Sequence, residues 1–332
     1  MTARPVVLHL VDDHTAGGVM RVVDFMRTSP AMAACGDHRV RYVKRGKVLG
    51  NLPEADIIVS HLAVSWRTLP ALIALRASNA SKPLLHVEHS YTEAFVALNV
   101  RNRRRFSALL RIAFSLFDRV VAVSHAQASW IISRGFCPAK KLATIQSCVD
   151  LADFRNVSAS AGPARIFGAI GRLDSQKGFD TLIHAFRSCS NPDIQLHIYG
   201  EGVEEPLLRT LAGGDERISF KGFASDPAAP FAQVDAVVMP SRWEAYGLVA
   251  IEALSAGKRL ICSDTDGLRD HQARGAQLVR AGSINDLRAK LIDLSSQRLT
   301  TAPISPFRQT NVLENCFAKK WAELISGLAV SG

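Results

Sequence analysis

Short runs of β-branched and apolar residues alternate with amphipathic helical stretches along the whole chain, and this alternation limits the possible folds. Clear strand patterns occupy Val6–Val11 and Ile57–Ser60 early in the chain and Ile166–Ile170 later, while Phe179–Cys189 has its apolar residues on one helical stripe. The same strand pattern recurs at Leu84–Glu88, Val120–Ser124, Gln195–Tyr199, Ile218–Lys221, Ala236–Met239 and Arg259–Ser263. Strands that alternate with helices form parallel sheets covered by helices. The pattern therefore predicts a doubly wound α/β architecture.

A stretch of small residues, Ser158–Pro163, separates the strands and helices into two series. Runs of glycine, proline and serine are typical of linkers, and 332 residues are enough for two separate cores. We therefore predict one domain at residues 1–157 and a second at 163–310. The Pro-rich stretch Thr301–Pro306 then interrupts the pattern, and a final helix is predicted at Val312–Leu328 within a last segment, 311–332.

The excess of positive over negative charge lies entirely in the first half of the chain. The net charge is +10; residues 1–155 contain 21 Lys and Arg against 11 Asp and Glu, whereas residues 156–332 contain 19 of each. Such asymmetry is typical of a protein that meets an anionic membrane or nucleic acid. The arginines cluster beside apolar residues, at Arg101, Arg103, Arg104, Arg105 and Arg111. This pattern fits an interfacial membrane helix or, equally, a solvated helix packed on its own domain; no motif supports binding to nucleic acid.

Other features of the sequence limit the class of protein to which the chain can belong. No apolar run approaches the roughly 20 residues of a membrane-spanning helix, and the first residues read as a strand rather than a secretion signal. The six cysteines include no C-x-x-C pair, so neither a zinc site nor a disulfide framework is predicted. We therefore expect a cytoplasmic protein with reduced thiols.

The segment Ala236–Gly257 has the pattern of a ligand site. A strand ends in Pro240-Ser241, a loop carries Glu244, and Gly247 opens a helix that contains Glu252. In an open α/β sheet ligands bind at the carboxyl ends of strands, and the free amides of a helix N-terminus attract phosphate. Two flanking carboxylates could accept hydrogen bonds from sugar hydroxyls. The alternative is a helix start with two solvated glutamates.

Two other loops have features of anion or ligand sites. In Gly168–Gly178 a strand ends at Gly171-Arg172, and Lys177-Gly178 leads into the next helix. The side chains of Arg172 and Lys177 would suit a diphosphate. The spacing of the glycines and the lysine is not that of a P-loop. Gly17 and Gly18 follow the first strand, where a ligand could approach the backbone. A plain strand–helix turn is the alternative in both cases.

Together these segments resemble family 4 of the glycosyltransferases, whose members have the two-domain GT-B fold. The matching blocks occur in the family's order, at Gly17-Gly18, Val87–Ser90, Val120–Ser124, Val149–Phe154, Gly171–Gly178, Tyr199–Gly202, Phe220–Gly222 and Pro240–Glu252. The resemblance implies two Rossmann-like domains facing across a cleft. The first would be on the acceptor side, the second would bind the donor, and the C-terminal helix would pack back towards the first domain.

The resemblance also implies an activity: retaining transfer of a hexose from a UDP- or GDP-sugar to a glycan or lipid-linked acceptor. The expected setting is lipopolysaccharide or exopolysaccharide and capsule assembly, on the cytoplasmic face of the membrane. The protein would be peripheral, with the arginine cluster on anionic lipid. No metal or other cofactor is expected.

Site roles follow from the same resemblance, residue by residue. Arg172 and Lys177 would neutralise the diphosphate, and Glu244 would hold the donor sugar together with the backbone of 245–248. Glu252 would bind the ribose, and His89 would face the reacting centre of the sugar. The expected donor-binding residues are Gly17, Gly18, Gly171, Gly200, Gly202, Gly222, Ser241, Ala245, Tyr246, Gly247, Leu248 and Glu252.

The chain departs from the family pattern at two loops. Ser147-Cys148-Val149-Asp150 replaces the usual Asn-Gly-Val-Asp, and Asp266–Asp270 replaces a Gly-Gly-x-x-Glu loop. Asp264 and Asp266 also form a D-x-D motif, which in another glycosyltransferase fold holds a divalent metal. Alternative functions are an epimerase or a phosphorylase on the same fold, and a non-catalytic basic binding module.

Overall fold

The computed structural model describes residues 4–13, 17–296 and 310–329. The predicted break at Thr301–Pro306 lies outside these ranges. The chain divides into two compact units. The first unit contains the residues up to Asp150 together with those from Val312 onwards, and the second contains Leu151–Asn311.

Both units are built from parallel strands connected largely by helices. The strands are β1 Val6–Val11, β2 Asp37–Tyr42, β3 Ile57–Ser60, β4 Leu84–Glu88, β5 Arg119–Ala122, β6 Leu142–Thr144, β7 Ile166–Ile170, β8 Gln195–Tyr199, β9 Ile218–Gly222, β10 Ala236–Met239, β11 Arg259–Ser263 and β12 Gln277–Val279. The helices are α1 Gly18–Thr28, α2 Pro30–Ala33, α3 Leu69–Ser78, α4 Glu93–Asn99, α5 Arg103–Ser115, α6 His125–Ser133, α7 Ala152–Asn156, α8 Phe179–Arg187, α9 Glu205–Ala212, α10 Ala229–Ala232, α11 Leu248–Ser255, α12 Ile284–Ser296 and α13 Val312–Ala329. Short 3-10 segments lie at Ala139–Lys141, Ser175–Lys177 and Asp266–Arg274.

The first unit contains a parallel sheet of strand order β2-β1-β3-β4-β5-β6. The order of connection reverses at β1, so the loops after β1 and β3 flank the switch point at which open α/β sheets bind ligands. Helix α13 completes this unit: its Phe317 ring packs 5.8 Å from that of Phe25, and its Trp321 ring lies 6.4 Å from that of His9 on β1.

The second unit contains a parallel sheet of order β12-β11-β10-β7-β8-β9. Along the chain, the sheet is built from β7 through β8 to β9 on one side, and then from β10 through β11 to β12 on the other side. The loops after β7 and β10 therefore lie side by side at the switch point. These are the loops that contain the two most informative sequence motifs.

The structure places the division between the units at Asp150–Leu151, earlier than the predicted linker Ser158–Pro163. Helix α7 already belongs to the second unit, where the ring of Phe154 packs edge-on against that of Phe231 at 5.3 Å. The small residues that follow are also bound there, because Nζ of Lys258 donates to the carbonyl of Ser158 at 2.8 Å and to Oγ of Ser160 at 3.0 Å.

Candidate functional site

The loops after β7 and β10 are fastened to each other by side-chain hydrogen bonds. The Arg242 guanidinium donates to the carboxylate of Asp180 at 2.6 Å and to the carbonyl of Ser175 at 2.7 Å. Nε2 of Gln176 donates to the carbonyl of Trp243 at 3.1 Å. Both loops therefore form one braced surface at the carboxyl ends of the strands.

Two glycines permit the loop after β7 to approach its neighbours, the loops after β10 and β8. Gly178 has φ +65°, and a Cβ there would lie 2.3 Å from the carbonyl oxygen of Pro240. Gly200 has φ +130°, and its Cβ would lie 1.9 Å from the carbonyl oxygen of Gly171. Only glycine fits either position. Gly202 and Gly222 continue the same edge, next to the ends of β8 and β9.

Lys177 and Glu244 meet at this surface. Nζ of Lys177 lies 2.5 Å from Oε2 of Glu244, with the two side chains only 16% and 13% exposed. Arg172 points elsewhere: it is 71% exposed and lies 3.3 Å from Asp174 and 3.1 Å from Gln176. The two predicted cations thus differ in setting, one in a largely buried ion pair and one at the surface.

Helix α11 begins at this surface, with its N-terminal end beside the ion pair. Its N-cap, Gly247, has φ +87°, and no acidic side chain occupies its first turn. Leu248 is partly exposed, whereas Ser241, Ala245 and Tyr246 are buried. Glu252 is only 2% exposed, which excludes the alternative of a solvated glutamate. The loop therefore offers backbone groups and Glu244 to a ligand rather than a row of side chains.

The loop after β11 supports Glu244 from behind. Its Asp266, at φ +40°, accepts a hydrogen bond from the amide of Glu244 at 3.2 Å, and the amide of Gly267 donates to the carbonyl of Glu244 at 3.0 Å. The other carboxylate of the D-x-D motif, Asp264, pairs with Arg269 at 2.6 Å. Both carboxylates thus bind protein groups. In the described part of the chain, no cluster of three or more His, Cys, Asp or Glu is arranged to hold a metal ion.

His271 also supports this loop, and sequence analysis missed it. Its Nε2 lies 2.8 Å from the carbonyl of Tyr246, and the two rings are 4.7 Å apart. Desolvation lowers the pKa of His271 to about 4, so the ring is neutral at pH 7. Arg242 and Gln176 were missed as well, and Asp266 was noted only for its D-x-D motif, because nothing in their local sequence indicates their distant partners.

In the first unit, His89 lies in the loop after β4. That loop is anchored by the buried carboxylate of Glu88, which accepts the amides of Ser90 and Tyr91 at 2.8 and 2.9 Å. Burial favours the neutral form of Glu88, but the His86 ring, 3.6 Å from its carboxylate, and these two amides lower its pKa overall. His89 is partly exposed. Gly17 and Gly18 lie at the start of α1, where the sequence predicted a glycine turn before a helix.

His89 is the last of four histidines joined by hydrogen bonds, which we call the histidine row. Nε2 of His89 lies 2.8 Å from Nδ1 of His61, Nε2 of His61 lies 2.9 Å from Nδ1 of His9, and Nε2 of His9 lies 2.9 Å from Nδ1 of His38. Desolvation lowers the pKa to about 3 for His9 and about 4 for His38 and His89, and holds that of His61 well below its ordinary value. The sequence analysis singled out only His89.

Most of the arginine cluster belongs to a helix that packs on its own unit, as one of the two interpretations of its sequence pattern expected. Helix α5 buries its apolar face, including Leu110 and Phe114, in the core of its own unit. Arg111 donates to the carbonyls of Gly135 and Arg134 and lies over the Phe136 ring. The other arginines of the cluster, Arg101 and Arg103–Arg105, are exposed. Leu98, which lies beside them, is 60% exposed.

None of the helices within the described ranges combines the length and apolar character needed to cross a membrane.

Comparison with known proteins gives matches across both units. The family model described as Glycosyltransferase Family 4 matches residues 21–153, and that described as Glycosyl transferases group 1 matches residues 151–305. Granule-bound starch synthase 1 of Solanum tuberosum is 29% identical over 192 residues, which are 50% of this chain and 31% of that protein. Phosphatidyl-myo-inositol mannosyltransferase of Mycobacterium leprae is 28% identical over 254 residues, 73% of this chain and 65% of that protein. The chain thus spans less than two thirds of either relative.

Among solved structures, the Anabaena protein HepE in complex with UDP and glucose superimposes with a TM-score of 0.72. The match covers 99% of this chain and 100% of that one, at 19% sequence identity. At this identity the likeness is one of fold.

Proposed function

The chain belongs to family 4 of the glycosyltransferases and has their GT-B fold, and from this premise we propose that it transfers a sugar from a nucleotide diphosphate donor to a glycan or lipid-linked acceptor. The observation that carries the proposal is the meeting of Lys177, Glu244 and the start of α11 at the switch point of the second unit. A diphosphate would bind the helix amides and the lysine, and sugar hydroxyls would donate to Glu244.

The ion pair gives a physical account of donor binding. A largely buried charge left without a partner is costly, so Lys177 and Glu244 satisfy each other when no donor is present. An arriving diphosphate competes for the ammonium and releases the carboxylate to accept hydroxyl hydrogens. Arg172, held only at the surface, is free to turn towards the same phosphates. Glu252 and the glycines at 171, 200, 202 and 222 would border the nucleoside and ribose.

We assign the rate enhancement to charge stabilisation. Negative charge grows on the leaving phosphate as the glycosidic bond breaks, and Lys177, Arg172 and the α11 amides would stabilise it. A phosphate oxygen can take the proton of the attacking hydroxyl, so retention requires no carboxylate nucleophile. His89 would accept a hydrogen bond from a hydroxyl of the donor sugar. These steps need no metal ion.

The relatives support narrower proposals about the substrates of the protein and its location in the cell. The Anabaena protein was crystallised with UDP and glucose, which favours a UDP-sugar among the candidate donors over a GDP-sugar. The mycobacterial relative is named for a phosphatidyl lipid, which favours a lipid-linked acceptor. We place the protein in lipopolysaccharide or capsule and exopolysaccharide assembly, on the cytoplasmic face of the membrane. The surface that would meet lipid is the α4–α5 loop with Leu98 and its neighbouring arginines.

A donor panel tests the proposal. The full chain is mixed with UDP- and GDP-sugars, and the melting temperature is measured, because a ligand that binds the folded state raises it by mass action. The best donor is then incubated with and without lipid-linked glycans, and products are separated. Sugar transfer that requires the acceptor supports the proposal. A changed sugar without acceptor indicates an epimerase, and no response to any donor contradicts donor binding.

A further inference from the structure

The histidine row runs through the interior of the first unit, from the edge strand to the loop after β4. His38 lies on β2, His9 on β1, His61 directly after β3 and His89 directly after β4. The first three are buried, and each consecutive pair of rings is joined through one Nδ1 and one Nε2 at 2.8–2.9 Å. All three links have the same direction: Nδ1 belongs to the ring nearer His38, and Nε2 belongs to the ring nearer His89.

Neutral rings joined in this way must share one tautomer. Desolvation lowers the pKa of all four rings well below 7, so each carries a single N–H at neutral pH. Each link needs one N–H and one bare nitrogen. If one ring donates through Nε2, its Nδ1 is bare and the next ring must also donate through Nε2. The four rings are therefore either all protonated on Nε2 or all protonated on Nδ1.

The groups around His38 select between these two states. Its Nδ1 is bound to His9, so Nε2 is the nitrogen that faces Cys35. The carbonyl of Met32, which can only accept, lies next to Sγ of Cys35. Sγ of Cys35 lies 3.6 Å from Nε2, and its thiol hydrogen is directed 3.0 Å to the same carbonyl, which leaves the sulfur as an acceptor. With its own hydrogen on the Met32 carbonyl, the sulfur requires a hydrogen on Nε2 of His38.

We propose that the Met32 carbonyl and Cys35 set the tautomer of the whole histidine row, so that His89 presents a bare Nδ1 as a hydrogen-bond acceptor. Nδ1 of His89 makes no hydrogen bond to any residue within the described ranges. His38, His9 and His61 are then positioning residues that act through His89. The use of that acceptor for a hydroxyl of the donor sugar rests on the proposed function; the shared tautomer does not.

Nitrogen NMR of the full chain tests the proposal without any ligand. The protein is labelled with ¹⁵N-histidine, and the ring nitrogens are assigned with single-histidine variants at pH 7.5. We expect all four rings to carry hydrogen on Nε2. The ¹⁵N chemical shift of each Nδ1 should then be that of an unprotonated, pyridine-like nitrogen. A wild-type spectrum in which His89 carries hydrogen on Nδ1, or in which the four tautomers differ, overturns the proposal.

A variant at the far end of the row tests the coupling. His38→Phe removes the group that fixes the tautomer, so the two ¹⁵N resonances of His89 should move towards each other as the Nδ1–H form becomes populated. His197→Phe is the matched control, a buried histidine of the second unit outside the row, and should leave His89 unchanged. An unchanged His89 in His38→Phe contradicts the coupling. If this variant does not fold, the wild-type spectrum still decides.

Kinetics separate this inference from the proposed function. His38→Phe should lower kcat about tenfold, the rate equivalent of one hydrogen bond, with a smaller change in the KM of the donor. If the spectra agree with the proposal but the wild type transfers no sugar, the proposed function fails and the shared tautomer stands. If transfer occurs and His38→Phe changes neither kcat nor the spectrum of His89, the inference fails alone.

Discussion

At the scale of single residues, the pair formed by Lys177 and Glu244 determines the electrostatics of the candidate site. We expect Glu244→Gln to lower transfer at least about a hundredfold, because the neutral amide lacks the negative charge that attracts the lysine and strengthens hydrogen bonds from sugar hydroxyls. We expect it to cost about 1–3 kcal/mol of unfolding free energy, because Lys177 is left largely buried without its partner. Turnover and urea unfolding measure the two effects.

Glu205→Gln is the control for this substitution. Glu205 pairs with Arg209 along α9, where the arginine is 54% exposed, so its loss should change the unfolding free energy by less than about 0.5 kcal/mol. Wild-type turnover in Glu244→Gln would show that the pair has no part in transfer.

Gly200 tests the close packing of the loops after β7 and β8. Gly200→Ala should destabilise the second unit by more than about 2 kcal/mol, because a Cβ would clash with the carbonyl of Gly171 at a positive φ. Gly162→Ala is the control: its φ is +76°, but a Cβ there meets nothing within 4 Å, so only about 1 kcal/mol of backbone strain is expected. Equal losses in urea unfolding would refute the steric explanation.

The sequence indicated Lys177 and Glu244 one at a time, through their motifs. It could not indicate that they pair, because they are 67 positions apart and only the sheet topology brings their loops together. The histidine row was hidden for the same reason. Its members lie on or directly after four different strands, and none has a local pattern that marks it.

At the scale of elements, all of the interior strands were predicted, but only one of the four edge strands, β9, was. Seven strands, including β1, β7 and β10, have the predicted bounds, because strands covered on both faces form continuous apolar runs. The predicted strands at Val120–Ser124 and Ile218–Lys221 are shifted at their ends. The three that were missed, β2, β6 and β12, lie at sheet edges, and β2 alternates charged and apolar residues.

The α4–α5 loop gives a prediction about membranes. Leu98→Ser with Arg101→Ser and Arg104→Ser should reduce co-sedimentation with vesicles containing phosphatidylserine about tenfold or more, because each arginine near an anionic surface contributes about 1 kcal/mol. Wild-type binding should also weaken as salt is added. The control is Arg165→Ser with Arg288→Ser, in the second unit. Equal binding of both variants at low salt would show that this loop is not the docking surface.

At the scale of the whole molecule, the neutral buried histidines make stability depend on pH. Their folded pKa values lie below the ordinary value of about 6.5, so the unfolded chain binds protons more readily. Stability is therefore complete above about pH 6.5 and is lost as pH falls towards about 4. Each ring contributes a slope of up to about 1.4 kcal/mol per pH unit. The charges of Asp37 near His38 and Glu88 near His89 oppose part of the shift.

Urea unfolding at a series of pH values measures this slope. Tryptophan fluorescence reports mainly on the first unit, because Trp66, Trp130 and Trp321 belong to it and only Trp243 belongs to the second. His9→Phe should give a shallower dependence between pH 6.5 and 4. A wild-type unfolding free energy that stays constant over this range would contradict the assignment of neutral rings.

The first unit is assembled from two stretches of chain that are far apart in sequence, and this has a consequence for synthesis. The second unit is encoded between them, so all of its strands leave the ribosome before α13 does. Until α13 arrives, Phe25 and His9 lack the aromatic rings of Phe317 and Trp321 that pack against them. The unit whose translation begins earlier is therefore completed later than the second unit, and until then the apolar surface that α13 covers is open to chaperones.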